Sequence, residues 1–314
     1  MYDTFLKLFI GIIFLLVSTK ILIKLAEKLS LSLKISPLVI GLTVVALGTS
    51  LPELSVASIA SLKSDIGLAA GNIVGANIIN ILLVFPAAIL AGKLRIGTTK
   101  TQYNALILLV VTAIFVVLHL IPLGNFPLGL FLIGLAILLT IAEYKWAIFG
   151  RTHEDSTRMK KVGNEHFTSW KWFILIAAIG GIVVGGYLTV SSIEHISLIT
   201  GYSTTVLGLS LTALATTLPE LLTTLFSQRD HEEKLTIGNI IGSNIYNLLF
   251  IGGIISLFST SKPIQIRDWI ALSSATILFV LVIKHYSGQK VPRWIAFVSF
   301  AILGGYLYML STTN

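Results

Sequence analysis

A short pattern occurs twice in this chain, TSLPE at Thr49 to Glu53 and TTLPE at Thr216 to Glu220, each time inside a long apolar segment. A second block follows each copy, GNIVGANIIN from Gly71 to Asn80 and GNIIGSNIYN from Gly238 to Asn247, and one offset of 167 residues relates both pairs. Two blocks recurring at a single spacing mark an internal duplication. A carboxylate in hydrocarbon is costly unless it faces a cavity, a partner or an ion. Glu53 and Glu220, at matching places in the two copies, therefore point to one shared polar site.

The surrounding solvent follows from composition. With 55% hydrophobic and 11% charged residues over 314 positions, the apolar runs are too many for a water-soluble domain, and the chain reads as a polytopic membrane protein. The net charge of +8 is scattered through short gaps between apolar segments, where it reads as membrane topology and not as a nucleic-acid surface. The chain has no cysteine, which removes disulfides, thiolate chemistry and thiolate-ligated metals.

Hydropathy predicts an all-α integral membrane protein with ten transmembrane helices, near 4–24, 36–61, 66–91, 102–121, 126–148, 170–194, 203–227, 235–259, 267–284 and 292–311. The first is expected to stay in the mature chain, because its apolar stretch runs past Leu15 and Leu16 to Ile21 and Ile23 with no small-x-small cleavage site after it. The polar stretch 151–169, containing HEDSTRMKK, reads as a cytoplasmic linker. It separates residues 1–150, with the repeated motif at 41–83, from residues 170–314, with the motif at 208–250.

Positive charge sets the expected orientation, since cytoplasmic loops retain Lys and Arg. One side collects Lys24, Lys28, Lys93, Arg95, Lys100, Lys145, Arg158, Lys160, Lys161, Arg229 and Lys234 among others, whereas the other holds only Lys7, Lys63, Lys262 and Arg267. Both termini are then outside. Five helices are an odd number, so the second half enters the membrane from the opposite side and the fold is two inverted five-helix repeats. Such symmetry exposes one central site alternately to either side, which is the geometry of secondary transport.

Local chemistry agrees. Pro52 and Pro219 lack an N–H and clash with the preceding turn, so each helix should break there and free carbonyls near Ala46 to Gly48 and Ala213 to Ala215. Thr49 and Glu53 are four apart, as are Thr216 and Glu220, so hydroxyl and carboxylate share a face. Gly71, Gly75, Gly238 and Gly242 allow close helix approach, and Asn80 and Asn247 offer amide oxygens from the neighbouring helix. This all-oxygen inventory suits calcium, which takes six to eight oxygens at about 2.3–2.6 Å, and the same oxygens could be shared among sodium ions. The bland alternative is a pair of neutral, hydrogen-bonded carboxyls used for packing, a cost that would then be incurred twice.

Other polar residues read as surface, interfacial or solvated. His119 and His195 do not recur in the duplicated blocks, and His231 begins HEEKL, which misses the HExxH zinc pattern. Asp65, Glu143, Glu194, Trp170 and Trp172 fall near membrane boundaries, and Asp230, Glu232 and Glu233 read as a solvated turn.

GTSLPEL at Gly48 to Leu54, ATTLPEL at Ala215 to Leu221 and the two GNIxGxNIxN blocks resemble the alpha-repeats of the sodium/calcium exchangers, within the calcium/cation antiporter superfamily. The resemblance implies an antiporter and no enzyme, with no cofactor, calcium and sodium as the transported ions, and a central site between the second, third, seventh and eighth helices. It implies Glu53 and Glu220 as carboxylate ligands, Thr49 and Thr216 as hydroxyl or carbonyl ligands, Ser50 and Thr217 beside them, and the carbonyls of Ala46 and Ala213. Asn80, Ser243 and Asn247 complete the set. Its expected setting is a plasma or bacterial inner membrane, as a monomer in contact with lipid.

Two positions depart from that pattern. Ala76 stands where the family usually has serine, so one sodium site loses a hydroxyl that Ser243 supplies in the other copy. Asn247 stands where many members carry aspartate, leaving two carboxylates instead of three. Within transport the rival reading is calcium/proton antiport through protonation of Glu53 and Glu220. A passive cation channel would need a continuous pore, and an intramembrane enzyme would need ligands or nucleophiles that the repeated blocks lack.

Overall fold

The computed structural model describes residues 2–32, 45–62, 64–92, 94–97, 99–121, 125–149, 168–198, 202–258 and 264–312. Among them nine helices are long and apolar enough to cross a membrane. The predicted segment 36–61 is described only from residue 45 onward, where Leu51–Leu62 is apolar but shorter. The expected linker lies outside the described residues up to residue 167.

In chain order the helices are α1 (Tyr2–Ser32), α2 (Ala46–Thr49), α3 (Leu51–Leu62), α4 (Ile66–Ile79), α5 (Phe85–Ala91), α6 (Thr99–Leu120), α7 (Asn125–Phe149) and α8 (Ser169–Ser197). They continue as α9 (Thr204–Leu207), α10 (Ala213–Thr216), α11 (Leu218–Arg229), α12 (Glu233–Tyr246), α13 (Gly252–Phe258), α14 (Ile266–His285) and α15 (Arg293–Ser311). The bounds of α3, α4 and α5 recur in α11, α12 and α13 at the offset of 167, so the duplication extends from sequence to secondary structure.

Each TxLPE motif interrupts a helix. The backbone flattens toward ψ near zero at Ser50 (φ −82°, ψ 5°) and at Thr217 (φ −79°, ψ −3°), and a new helix starts one residue later with proline in its first turn. Proline fits there because the first amides of a helix have no acceptor within it, so the missing N–H costs little. Three stretches relax to π geometry, Asn80–Val84, Gly208–Thr212 and Asn247–Ile251. Two of these begin on the last asparagine of a GNIxGxNIxN block, and such bulges concentrate at functional positions because they unseat backbone bonds.

Burial separates the centre from the periphery. The most apolar stretch of Ile66–Ala91 is 83% buried and that of Glu233–Leu257 72%, against 22% for Phe126–Glu143, so the GNIxG helices form the middle of the bundle. Peripheral helices turn Phe9, Leu138, Phe173 and Phe297 outward, which is stable only against lipid. Helices α1 and α8 lie side by side and share a hydrophobic cluster of their own (Leu15, Leu22, Leu25, Leu29, Leu175, Ala178 and Ile182), distinct from the main core. Their backbones touch: a Cβ at Gly185 would stand 2.8 Å from the Gly11 carbonyl oxygen. No strand occurs among the described residues, and the backbone of 94–97 bonds to that of 288–291 through Ile96 N to Gln289 O and Val291 N to Leu94 O, both 3.0 Å.

Candidate functional site

The two helix breaks and the two GNIxG helices meet at one place. α4 packs against the π segment Gly208–Thr212 and α10, while α12 packs against α2 and α11. Glycine makes this approach feasible. A Cβ at Gly71 would lie 2.8 Å from the Thr205 carbonyl oxygen, and one at Gly208 2.8 Å from that of Leu68.

All the polar side chains brought together here are buried. Thr49, Glu53, Asn80, Thr216, Glu220, Ser243 and Asn247 have no exposure, and Ser50 and Thr217 have 2% or less. Thr49 Oγ1 donates to Asn239 Oδ1 at 3.2 Å, and the matching Thr216 Oγ1 donates to Asn72 Oδ1 at 3.1 Å, so each break is tied to the opposite half. Glu220 Oε1 accepts from Ser243 Oγ at 2.9 Å and Ser50 Oγ at 3.2 Å, and the two hydroxyls are 2.7 Å apart. Asn80 Nδ2 donates to Ser243 Oγ at 3.4 Å.

Glu53 is held differently. The residues matching Ser50 and Ser243 are Thr217, whose hydroxyl turns back to the Ala213 carbonyl at 2.6 Å, and Ala76, which has no hydroxyl. Both Glu53 carboxylate oxygens are consequently buried without a hydrogen-bond partner. So are Glu220 Oε2, Asn80 Oδ1, and Asn247 Oδ1 and Nδ2. The charges of Glu53 and Glu220 also act on each other. A buried carboxylate without full pairing costs several kcal/mol, so Glu53, unpaired, and Glu220, paired at one oxygen, together call for a cation or for protonation.

Two expectations need refinement. The Ala46 and Ala213 carbonyls are not free: Ala46 O accepts from Ser50 N at 3.1 Å, and Ala213 O accepts from Thr217 N at 3.0 Å and Thr217 Oγ1 at 2.6 Å, while the Thr49 and Thr216 hydroxyls, whose single protons go to Asn239 and Asn72, each pass a carbonyl at 3.3 Å. With two lone pairs each, Ala46 O is open on one side when Thr49 gives its proton to Asn239, and Ala213 O opens to a ligand only when the Thr217 hydroxyl turns away. The carbonyls that lose an amide donor to proline are those four residues before it, Gly48 and Ala215. Asn72 and Asn239 were missed as site residues, although both are the second residue of a repeated block. The intervening Asn77 and Asn244 turn their amides to Ile73 O and Ile240 O, at 2.8 and 2.7 Å, leaving each Oδ1 buried and unpartnered.

The remaining polar candidates lie elsewhere. His119 Nδ1 is 2.8 Å from the Phe115 carbonyl and its ring packs on Phe115 and Trp269. His195, His231, Trp170 and Trp172 are exposed, and Asp65 caps α4 by accepting from Leu68 N at 3.0 Å. The side chain of Glu194 falls outside the described ones.

A membrane bundle that gathers buried, unpartnered oxygens at its centre has the build of a cation transporter. The chain belongs to the sodium/calcium exchanger protein family, whose model matches residues 4–145 and 170–312, and it is a cation antiporter. It is 28% identical to the sodium/calcium exchanger MaX1 of Methanosarcina acetivorans, with 98% of each chain covered. It is also 28% identical to the inner membrane protein YrbG of Escherichia coli K12, over 97% of this chain and 94% of that one. The solved structure of the sodium-calcium exchanger NCX_Mj soaked with Na+ and Sr2+ superposes with a TM-score of 0.78 at 26% identity, covering 99% of this chain and 98% of the other.

Proposed function

We propose that the protein exchanges calcium for sodium by alternating access, through ten transmembrane helices arranged as two inverted five-helix repeats. The observation that carries this reading is the set of buried, unpartnered oxygens in matched positions: Glu53 with Glu220, and Asn80 with Asn247. A single divalent ion between the two carboxylates neutralises both, and hard all-oxygen sites favour calcium and sodium over softer metals. MaX1 and NCX_Mj both carry the name sodium/calcium exchanger, which supports the same pair of ions.

In this reading Glu220, braced by Ser50 and Ser243, is the preorganised ligand, and Glu53, free at both oxygens, is the adaptable one. Thr49, Thr216, Thr217, Asn80, Asn247 and the carbonyls of Ala46 and Ala213 supply the remaining oxygens. Sodium ions occupy the same cluster when calcium leaves, and the Ser243 side is the better hydroxylated of the two. An empty site with two bare carboxylates resists crossing hydrocarbon, which enforces exchange over leak. The mobile unit is the pair α1 and α8, whose separate cluster lets them shift against the core without breaking it. Residues 1–150 and 170–314 are the repeats, 151–169 is a cytoplasmic linker, and both termini face outward, a reading supported by the Lys and Arg asymmetry.

Calcium-45 uptake into proteoliposomes tests the proposal. Uptake with internal sodium, and none with internal potassium, is the expected result. Uptake driven by an acid-inside pH gradient alone would replace sodium by protons as the coupling ion, and equal uptake in every condition would mean a channel.

A further inference from the structure

A second polar pocket lies beside the transport helices. It is a cavity of about 30 Å3 between α6, α7 and α12, with Asn104, Thr140, Glu143 and Tyr246 as its polar lining. That is room for one or two water-sized species. Tyr246 immediately precedes Asn247, and Gly242, also in the lining, precedes Ser243, so the pocket occupies the face of α12 next to the one that serves the central site.

Its hydrogen bonding is incomplete. Thr140 has one proton and donates it to the Ala136 carbonyl at 2.8 Å, so in the 3.0 Å contact with Tyr246 the phenol donates and keeps a free lone pair. Asn104 is 1% exposed, and neither its Oδ1 nor its Nδ2 has a partner. Glu143 Oε2 is likewise buried without one. Three helices thus offer Asn104 Oδ1, Glu143 Oε2 and Tyr246 Oη, together with the two unsatisfied N–H groups of Asn104 Nδ2.

The packing of the fold does not require this polarity. At the offset of 167, the residues matching Asn104, Thr140, Glu143 and Tyr246 are Ala271, Leu307, Leu310 and Ile79. Three of these, Ile79, Leu307 and Leu310, line a cavity on the matching side of the molecule that is mostly apolar, with Tyr202, Ser210 and Ser311 as its polar members. A duplicated fold that lines one such cleft with aliphatic residues where the other places four polar side chains, three of them with unused oxygens, gives the oxygens a use on that side.

We infer that this pocket binds one monovalent cation of sodium size together with one water. The cation takes the three oxygens and the water accepts from Asn104 Nδ2. One carboxylate suits a single positive charge, and Lys100, one turn before Asn104 and also acting on Glu143, is the internal cation that competes for it. The site is independent of which ions the central carboxylates carry.

Thallous ion, a heavy monovalent cation, is the probe. Crystals of the full chain grown or soaked with it should show an anomalous peak among Asn104, Glu143 and Tyr246, lost in Glu143→Gln and in Asn104→Leu. Ordered water alone, the Lys100 ammonium in the pocket, or no peak would overturn the assignment. Thermal unfolding gives a second reading: Glu53→Gln/Glu220→Gln removes both central carboxylates, and a sodium-dependent rise in Tm should persist in it and vanish when Glu143→Gln is added. A double variant that sodium does not stabilise would count against the site, and if that variant does not fold, the thallous-ion peak in the wild-type chain decides. A thallous peak in a protein that takes up no calcium would leave this site standing while removing the calcium reading of the centre.

Discussion

Thr49 donates its hydroxyl to Asn239 across the junction of the two halves, at 3.2 Å. The equivalent bond from Thr216 to Asn72 measures 3.1 Å, so the same pair of residue types makes the same contact twice with the halves exchanged. A reciprocal contact of this kind is what a two-fold relation produces. It also means that neither helix break is held by its own repeat alone.

Removing either hydroxyl should therefore destabilise the whole bundle. Thr49→Val or Thr216→Val keeps the volume but leaves a buried asparagine oxygen unpaired, at a cost of about 1–3 kcal/mol. The expected outcome is a lower Tm in detergent for each variant. A variant melting with the wild type would show that the cross-half bond contributes nothing.

The asymmetry between Glu220 and Glu53 predicts opposite effects of exchanging the matched residues 243 and 76. Ser243→Ala strips Glu220 of its shorter hydrogen bond, 2.9 Å, and a bond to a charged group contributes about 1.5–3 kcal/mol. The sodium concentration needed for half-maximal calcium uptake should rise about tenfold or more on that scale. Ala76→Ser, which restores a hydroxyl on the Glu53 side, should lower it. Unchanged sodium dependence in both variants would remove these two positions from the ion path.

Much of this centre was legible before any coordinates, because membrane burial makes each polar residue costly and the duplication repeats that cost at one offset. Glu53, Glu220, the prolines, and Gly71 and Gly75 among the glycines stood out on those grounds. The π segments were not, since a helix that adds one residue to a turn keeps the same apolar composition; only their start at Asn80 and Asn247 hints at them. Asn72 and Asn239 were overlooked because the repeated carboxylates drew the argument to ion ligands, whereas these amides act by receiving the threonine hydroxyls. The pocket at Glu143 was read as a membrane boundary, because Asn104, Thr140 and Tyr246 come from three separate helices and no sequence spacing joins them.

Glycine substitutions should separate packing from propensity. A methyl group at Gly71 or Gly208 would meet backbone oxygen at 2.8 Å, which cannot swing aside, so Gly71→Ala and Gly208→Ala should each cost about 1–3 kcal/mol as overpacking. At Gly134 nothing lies within 4 Å, and alanine there gains helix propensity of up to about 1 kcal/mol. The three variants should split accordingly in thermal melts. Equal Tm values across them would argue that α4 and the Gly208–Thr212 segment can separate without penalty.

Gly186 on α8 offers the sharpest test of the proposed motion. A Cβ there would stand 2.8 Å from Pro52 Cβ and 2.9 Å from Pro52 Cγ, at the helix break that carries Glu53. Pro52 is rigid, so Gly186→Ala wedges α8 against α3 at the point where the two must slip if α1 and α8 move as a unit. The proposed central ligands are untouched, so equilibrium calcium-45 binding should stay within about twofold of wild type, whereas an added barrier of about 1.4 kcal/mol would slow uptake tenfold. Loss of binding and uptake together would mean that the methyl group deforms the site itself. Unaltered uptake would show that α8 does not travel past Pro52, and another pair of helices would have to supply the alternation.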